Sequence, residues 1–350
     1  MLTNPAFLCD ERNVIPKHRV LYYALPEYLD FGHKVLSQKP YADAIDLVDC
    51  VHAPYCSPTA EELDGMEAVI GEFMPVDAEC AARMEAAGVK LVASMSIGTN
   101  HMDLAALREH GVTVTNCPGY CAEDVATHAL GLTLDLFRKI TFQNRSMLGG
   151  GWDPVEGYPT TRVSGKTLGL VFFGHIAQAL APMARGLGMR VVAWAPTKSA
   201  ETLAEFGVEK AETLDDLLVQ SDVVSLHCPL IPETEGLIGK RELALMKPSA
   251  YLINTARGEV VDEDALVAAL DESIASDGER GITAAGLDTL AGENDGTDNL
   301  NRRLIEHPRC VTTPHSAYLS RESTLKLASM SLDSCAEILI EGRTPTYAVN

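Results

Sequence analysis

Three side chains in the last third of the chain have the types that handle a small carboxylate and a proton. They are Arg257 in TARGE, Glu293 at the end of AAGLDTLAGE and His315 in VTTPHSAYLS. Arginine offers a planar, permanently charged fork that matches a carboxylate and polarises a neighbouring carbonyl. Histidine ordinarily titrates close to neutrality, which suits a group that protonates an oxygen as it gains charge. A glutamate beside the imidazole would fix its orientation and favour its protonated form. Taken singly, each has an ordinary explanation: a surface or helix-cap arginine, a structural histidine after Pro314, a loop carboxylate.

A fourth feature points to a cofactor. The stretch GLVFFGHIAQAL, residues 169–180, runs from an apolar strand through a turn into a helix. In the dinucleotide fingerprint G-x-G-x-x-G the first glycine makes the tight turn, the second admits the pyrophosphate and the third lets helix and strand approach. These positions hold Phe172, Gly174 and Ala177. Gly174 keeps the second role and Ala177 is an accepted third, whereas Phe172 must close the turn without glycine's freedom at positive φ. The helix start at His175 and Ile176 offers backbone N–H groups to a phosphate. The next strand normally ends in an acid that holds the ribose hydroxyls. Here that position is Ala195, followed by Thr197 and Lys198. A hydroxyl and a cation there suit a 2′-phosphate, and a solvated loop lysine is the plain alternative. The expectation is NAD or NADP, with relaxed choice or a preference for the phosphorylated form.

The elements that must position these residues alternate along the whole chain. Apolar runs at 19–24, 47–52, 67–71, 90–94 and 112–115 read as strands, with helices at 76–87 and 103–110 between them. A longer helix over 122–139 follows, with Val125, Ala126, Ala129, Leu130, Leu136 and Phe137 on one face. The Gly- and Pro-rich residues 149–159 read as a connection. A second series has strands at 168–172, 190–194, 222–226, 250–254, 281–287 and 310–313, and helices at 176–187, 213–220, 240–246 and 263–276. A helix over 321–341 ends it. This alternation predicts an α/β protein of two Rossmann-like or flavodoxin-like domains with doubly wound parallel sheets. Residues 1–120 with 316–350 are expected to form a discontinuous substrate domain, and 121–315 the dinucleotide domain. The active site is expected in the cleft between them, at the carboxyl ends of strands.

Composition narrows the class. The 350 residues are 46% hydrophobic and carry 28 basic against 49 acidic side chains, a formal net charge of −21. Such a surface disfavours nucleic acid and anionic membranes, but leaves room for a locally cationic site. No apolar run is long enough to span a membrane, and the N-terminus lacks a signal-peptide pattern, so a cytoplasmic protein is expected. The nine cysteines are scattered. The nearest pair, Cys117 and Cys121, has no second pair at zinc spacing, so reduced thiols and no metal are expected.

The segment LINTARGEVVDEDALVAAL, residues 252–270, resembles the D-isomer-specific 2-hydroxyacid dehydrogenases, and so do AAGLDTLAGE and VTTPHSAYLS. Upstream, SIGTNHMDL, VTNCPGYCAEDVATHALGL, SGKTLGLV and VSLHCPLIPETEGLI match in the same order, so the resemblance covers about residues 60–345. It implies reversible reduction of a 2-keto acid to the D-2-hydroxy acid, with Arg257 anchoring the carboxylate and His315 with Glu293 as the proton-donor pair. It further implies substrate contacts from the backbone of Ile97 and Gly98 and from Tyr120, with Phe73 and Tyr318 lining the pocket. For the cofactor it implies Gly174, His175, Ile176, His227, Cys228, Pro229, Thr234, Thr255, Ala256 and Asp288. The GHIAQ and SAY residues lean toward the D-lactate and D-2-hydroxyisocaproate branch, and the helix after Tyr120 resembles the arm that builds the family's homodimer. Two alternatives stand: a glyoxylate or hydroxypyruvate reductase, and a non-catalytic NAD(H)-sensing protein on the same fold. The acidic charge and lack of a basic patch weigh against the second.

Overall fold

The computed structural model describes residues 17–24, 26, 29–51, 56–72, 74–293 and 299–350. The chain forms two compact units, Met1–Tyr120 with Arg321–Asn350, and Cys121–Ser320.

In the first unit, five strands form one parallel sheet. They are β1 (His18–Ala24), β2 (Ile45–Val51), β3 (Ala68–Gly71), β4 (Leu91–Ser94) and β5 (Thr113–Thr115), in the order β2-β1-β3-β4-β5. The central strands AVIG and LVAS are buried at every residue, as strands covered on both faces must be. The helix Arg321–Leu339 packs on β3 and β4, which brings the end of the chain back to its start. Asp333 on that helix accepts Lys39 Nζ at 2.7 Å and the Tyr41 hydroxyl at 2.5 Å. Asn350 accepts the Val114 N–H at 2.7 Å.

The second unit has seven parallel strands. They are β6 (Thr167–Val171), β7 (Arg190–Trp194), β8 (Glu209–Lys210), β9 (Val223–Leu226), β10 (Tyr251–Asn254), β11 (Ala284–Leu287) and β12 (Cys310–Thr312). The order β12-β11-β10-β9-β6-β7-β8 starts at the centre, runs outward to β8 and returns to β9 on the other side of β6. The reversal between β6 and β9 is the switch point of a doubly wound sheet, where ligands bind beyond the carboxyl ends.

Several elements differ from the sequence expectation. Strand β8 is additional to it, because two polar residues carry no apolar pattern. Strand β11 starts only at Ala284. Gly281 has φ +74, and a Cβ on it would lie 2.0 Å from the Ala269 carbonyl, so this residue belongs to a close backbone turn. The long helix ends at Arg138, and Lys139, at φ +57, links it to a second helix, Ile140–Leu148. Lys139 is buried, and its ammonium donates to the Glu156 carbonyl at 2.7 Å, pinning the following loop. Helices Leu29–Leu36 and Ala200–Glu205 are further additions. Among the described residues no helix is long and apolar enough to cross a membrane.

Candidate active site

The carboxyl ends of β10, β11 and β12 carry the chemistry-bearing residues of the second unit. Beyond β10, Asn254 shapes the turn: its Oδ1 accepts the Ala256 N–H at 3.0 Å and its Nδ2 donates to the Arg257 carbonyl at 2.8 Å. Arg257 then caps the short 3-10 turn Gly258–Val260. One of its guanidinium N–H groups donates to the Ala256 carbonyl at 2.7 Å. Among the described residues no carboxylate pairs with this guanidinium, in a chain with a large excess of acids. A half-buried arginine whose guanidinium spends one N–H on its own turn and lacks a counter-ion among the described residues is suited to an external anion.

Gly258 locks this turn to the loop after β11. A Cβ there would lie 2.0 Å from Ala291 N and 2.1 Å from the Leu290 carbonyl carbon. Only glycine permits that approach. The loop is tied further by Ala291 N–H donating to Glu263 at 2.7 Å and by Leu290 N–H donating to Glu293 Oε2 at 3.3 Å. Glu293 is thereby aimed, and its Oε1 lies 2.7 Å from His315 Nδ1. His315 has φ +48, a left-handed conformation that costs a side-chain-bearing residue energy. Its N–H donates to the Asp288 carbonyl at 2.7 Å. The rings of His315 and Tyr318 meet edge to face at 6.1 Å. Asp288 is buried, and both of its carboxylate oxygens are engaged on the His315 loop.

Across the switch point, β6 is followed directly by Phe172 at φ +71, whose N–H donates to the Trp194 carbonyl at 2.8 Å. Its ring packs edge to face on Trp194, centroids 5.6 Å apart. A glycine-like turn is therefore made by phenylalanine, with an aromatic contact as compensation. Gly174 caps the helix His175–Gly186 and supplies no side-chain acceptor to its first N–H groups. A Cβ on Gly174 would project into open space. His175 is exposed and Ile176 half-buried. Beyond β9, His227 Nε2 lies 2.9 Å from Ser225 Oγ, while its buried Nδ1 has no partner. Burial pushes His227 down to about 4, so it is neutral at ordinary pH. The Cys228 thiol is pushed up to about 11 by burial, which makes it a packing group. The buried Thr255 hydroxyl is likewise unpaired. An uncapped helix start, an open glycine and two unpaired buried polar atoms fit a phosphate-bearing dinucleotide better than a packed interior.

The remaining expected residues are placed as follows. Thr234 turns inward, its hydroxyl bonding the Pro229 carbonyl at 2.6 Å and accepting the Ile231 N–H at 3.0 Å, so it shapes the loop that holds Cys228 and Pro229. Ala256 is buried in the arginine turn. Ala195 is buried, Thr197 exposed and Lys198 half-exposed. In the first unit, Ile97 and Gly98 lie in the loop beyond β4. Their carbonyls accept Asn116 Nδ2 at 2.8 Å and Ser96 Oγ at 2.5 Å, and among the described residues their N–H groups have no protein partner. Tyr120 is buried at the end of that unit. Phe73 lies outside the described residues. Sequence reasoning missed Gly258, His128 and Thr313. His128 Nε2 stands 3.0 Å from Thr313 Oγ1, which donates to Asp288. No local spacing signals a bond between residues 185 positions apart.

Residues 130–317 match the family model described as "D-isomer specific 2-hydroxyacid dehydrogenase, NAD binding domain". The chain is 36% identical over 274 residues to a glyoxylate reductase of Thermococcus litoralis, covering 75% of this chain and 77% of that protein. It is 35% identical over 290 residues to a glycerate dehydrogenase of Methylorubrum extorquens, covering 81% and 85%. Among solved structures it resembles a D-isomer specific 2-hydroxyacid dehydrogenase from Lactobacillus delbrueckii ssp. bulgaricus in its NAD-complexed form. That match has 28% identity, a TM-score of 0.77, and covers 95% of this chain and 100% of the other.

Proposed function

This chain belongs to the D-isomer specific 2-hydroxyacid dehydrogenases, and from that premise we propose that it reversibly reduces a small 2-keto acid to the D-2-hydroxy acid. The observation that carries the reading is the 2.7 Å contact of His315 Nδ1 with Glu293 Oε1. An ionised carboxylate only accepts, so Nδ1 bears a hydrogen and Nε2 is left to deliver the reacting proton. Arg257 holds the substrate carboxylate through its guanidinium fork, and within the first unit the N–H groups of Ile97 and Gly98 are of a kind that also suits a carboxylate. Positioning by that clamp supplies much of the rate. Bound nicotinamide supplies the hydride. His315 Nε2 gives its proton to the carbonyl oxygen as the keto carbon is reduced, and Glu293 stabilises the imidazolium beforehand. In the reverse direction neutral His315 takes the hydroxyl proton.

Gly174, His175 and Ile176 would hold the pyrophosphate, and Thr255, Ala256, His227, Cys228, Pro229 and Asp288 would border the rest of the cofactor. The family match supports NAD. Ala195 in place of an acid, with Thr197 and Lys198 beside it, supports acceptance of NADP as well or in preference. Relatives named glyoxylate reductase and glycerate dehydrogenase support a keto acid of two or three carbons. A second reading, an acid with an apolar side chain of the D-lactate or D-2-hydroxyisocaproate kind, is favoured by the Tyr318 ring against His315. Helix Ile140–Leu148 and the loop after it expose Met147, Leu148, Trp152 and Val155, Leu148 by 82% and Trp152 by 86%, which supports a homodimer built on this arm.

The test is a nicotinamide absorbance assay with NADH and NADPH across glyoxylate, hydroxypyruvate, pyruvate and 2-ketoisocaproate. Turnover of at least one acid is expected, with NADPH used at least as well as NADH. His315→Ala and Arg257→Ala should each lower kcat/KM by about 10²–10⁴-fold. Cofactor binding without turnover across the panel would favour the sensing protein, and a strong NADH preference would overturn the reading of Lys198.

A further inference from the structure

We propose that His128 is a positioning residue for the proton donor, acting through Thr313 and Asp288 on the loop that carries His315. The proposal rests on the reading of His315 as the acid.

Asp288 gathers that loop at one buried point. Its Oδ1 accepts the Thr313 hydroxyl at 2.5 Å and the Ser316 N–H at 2.9 Å, and its Oδ2 accepts the Ala317 N–H at 2.9 Å. Its carbonyl accepts the His315 N–H at 2.7 Å. One residue thus grips the loop on both sides of His315 and at His315 itself. Between these anchors His315 stays at φ +48, a conformation that persists only where the surroundings over-determine it.

His128 reaches this point from the helix Ala122–Arg138. Its Nε2 lies 3.0 Å from Thr313 Oγ1 and 3.5 Å from Asp288 Oδ1. A threonine hydroxyl has a single proton, and here that proton goes to the carboxylate. Thr313 Oγ1 can then only accept from His128, so His128 must carry hydrogen on Nε2. This N–H has two effects. It occupies the lone pair that would otherwise let the hydroxyl rotate, which holds the short bond to Asp288. It also sets the positive edge of an imidazole against a buried carboxylate. A chain of hydrogen bonds shielded from water strengthens its own members. With His128 removed, the Thr313 hydroxyl is free to turn, the grip on residue 313 loosens, and the aim of His315 Nε2 broadens. Arg257 is tied through Asn254 and Gly258; Asn254 meets Asp288 only through the backbone, its carbonyl accepting the Asp288 N–H at 2.8 Å, a bond that does not involve the carboxylate facing His128. The loss therefore falls on proton transfer and not on carboxylate binding.

The experiment compares His128→Leu, His128→Gln and Thr313→Val with His315→Ala as the reference. His128→Leu should lower kcat about tenfold while the keto-acid KM moves less than about twofold. A glutamine amide N–H reaches the place of Nε2–H, so His128→Gln should restore most of the rate. Thr313→Val should repeat the loss of His128→Leu, and the double variant should lose no more than either alone. Nitrogen-15 NMR of the wild-type imidazole should show Nε2 protonated across the neutral range, a readout that holds even if His128→Leu does not fold. The proposal is overturned if His128→Leu keeps wild-type kcat while His315→Ala is inactive, if the losses are additive, or if Nε2 is bare. Turnover by His315→Ala would instead remove the acid assignment, and the positioning role with it.

Discussion

Gly258→Ala is the smallest change that should separate the two halves of the proposed catalytic arrangement. Gly258 does not have positive φ, so alanine meets no backbone penalty there, and the effect is purely steric. Its Cβ would stand 2.0 Å from Ala291 N and 2.1 Å from Leu290 C, where ordinary contact begins at 3.4 Å. The neighbours are backbone atoms and cannot swing aside, so the Leu290–Ala291 peptide must retreat by about 1 Å or more. That peptide leads directly into Glu293, whose Oε2 bonds the Leu290 N–H and whose Oε1 aims His315. A misplacement of about 1 Å at the reacting groups lowers the rate about 10²-fold, equal to ~2.7 kcal/mol of transition-state stabilisation. Overpacking should also remove about 1–3 kcal/mol of stability. The assay is kcat/KM for the best keto acid, with thermal unfolding alongside to show that the variant is folded at the assay temperature. A folded Gly258→Ala that keeps kcat/KM within about threefold of wild type would refute the claim that the two turns are rigidly coupled.

Two further outcomes follow from strain and burial. Phe172→Gly relieves a left-handed penalty of about 1–3 kcal/mol while losing the aromatic contact of about 0.5–1.5 kcal/mol and the ring's packing on the core; Phe172→Ala keeps the penalty and makes the same losses. Thermal denaturation should rank the glycine variant above the alanine variant, and the opposite order would mean that φ +71 stores no strain. His227 is held down to about 4 by burial, against an unfolded value of ~6.5. Between those values the unfolded chain binds a proton that the native chain does not. Stability from this residue is therefore complete above pH ~6.5 and is lost as pH falls toward 4, amounting to about 2 kcal/mol by pH ~5. Urea unfolding at neutral and mildly acidic pH should show a flatter dependence for His227→Gln, and an unchanged slope would show that His227 is not buried neutral.

What can be read from the chain depends on whether the signal is local. Arg257, Glu293 and His315 stand in short motifs that the sequence marks as candidates through their ordered resemblance to one family, since singly each has an ordinary explanation. The alternation of apolar runs with helical segments likewise foretells two parallel sheets. What escapes is either short or distant. Strand β8 has two residues and no period to detect. The bonds that gather Thr313, Ser316 and Ala317 onto Asp288 span 25 to 29 positions, and the one from His128 to Thr313 spans 185. Asp288, which the resemblance implies beside the cofactor, thus also has both its oxygens engaged on the His315 loop, a role no local spacing signals.

The dinucleotide turn shows why a departure from a fingerprint need not be a loss. What the first position requires is a backbone at positive φ, and glycine is only its least strained provider. Phe172 meets the requirement at φ +71 and presents a ring that Trp194 meets edge on, 5.6 Å away. Trp194 is the last residue of β7 and directly precedes Ala195, where an acid would otherwise hold the ribose. The two departures are therefore close to one another, joined through Trp194. An aromatic pair that stabilises a strained turn occupies the end of β7. In the proposed reading the discriminating contact then falls to the residues just beyond, Thr197 and Lys198, where a hydroxyl and a cation suit a phosphate better than a bare ribose. The second position cannot be compensated in this way. Gly174 opens onto free space at a helix start without a side-chain cap, and in the proposed reading any side chain there would stand where the pyrophosphate comes.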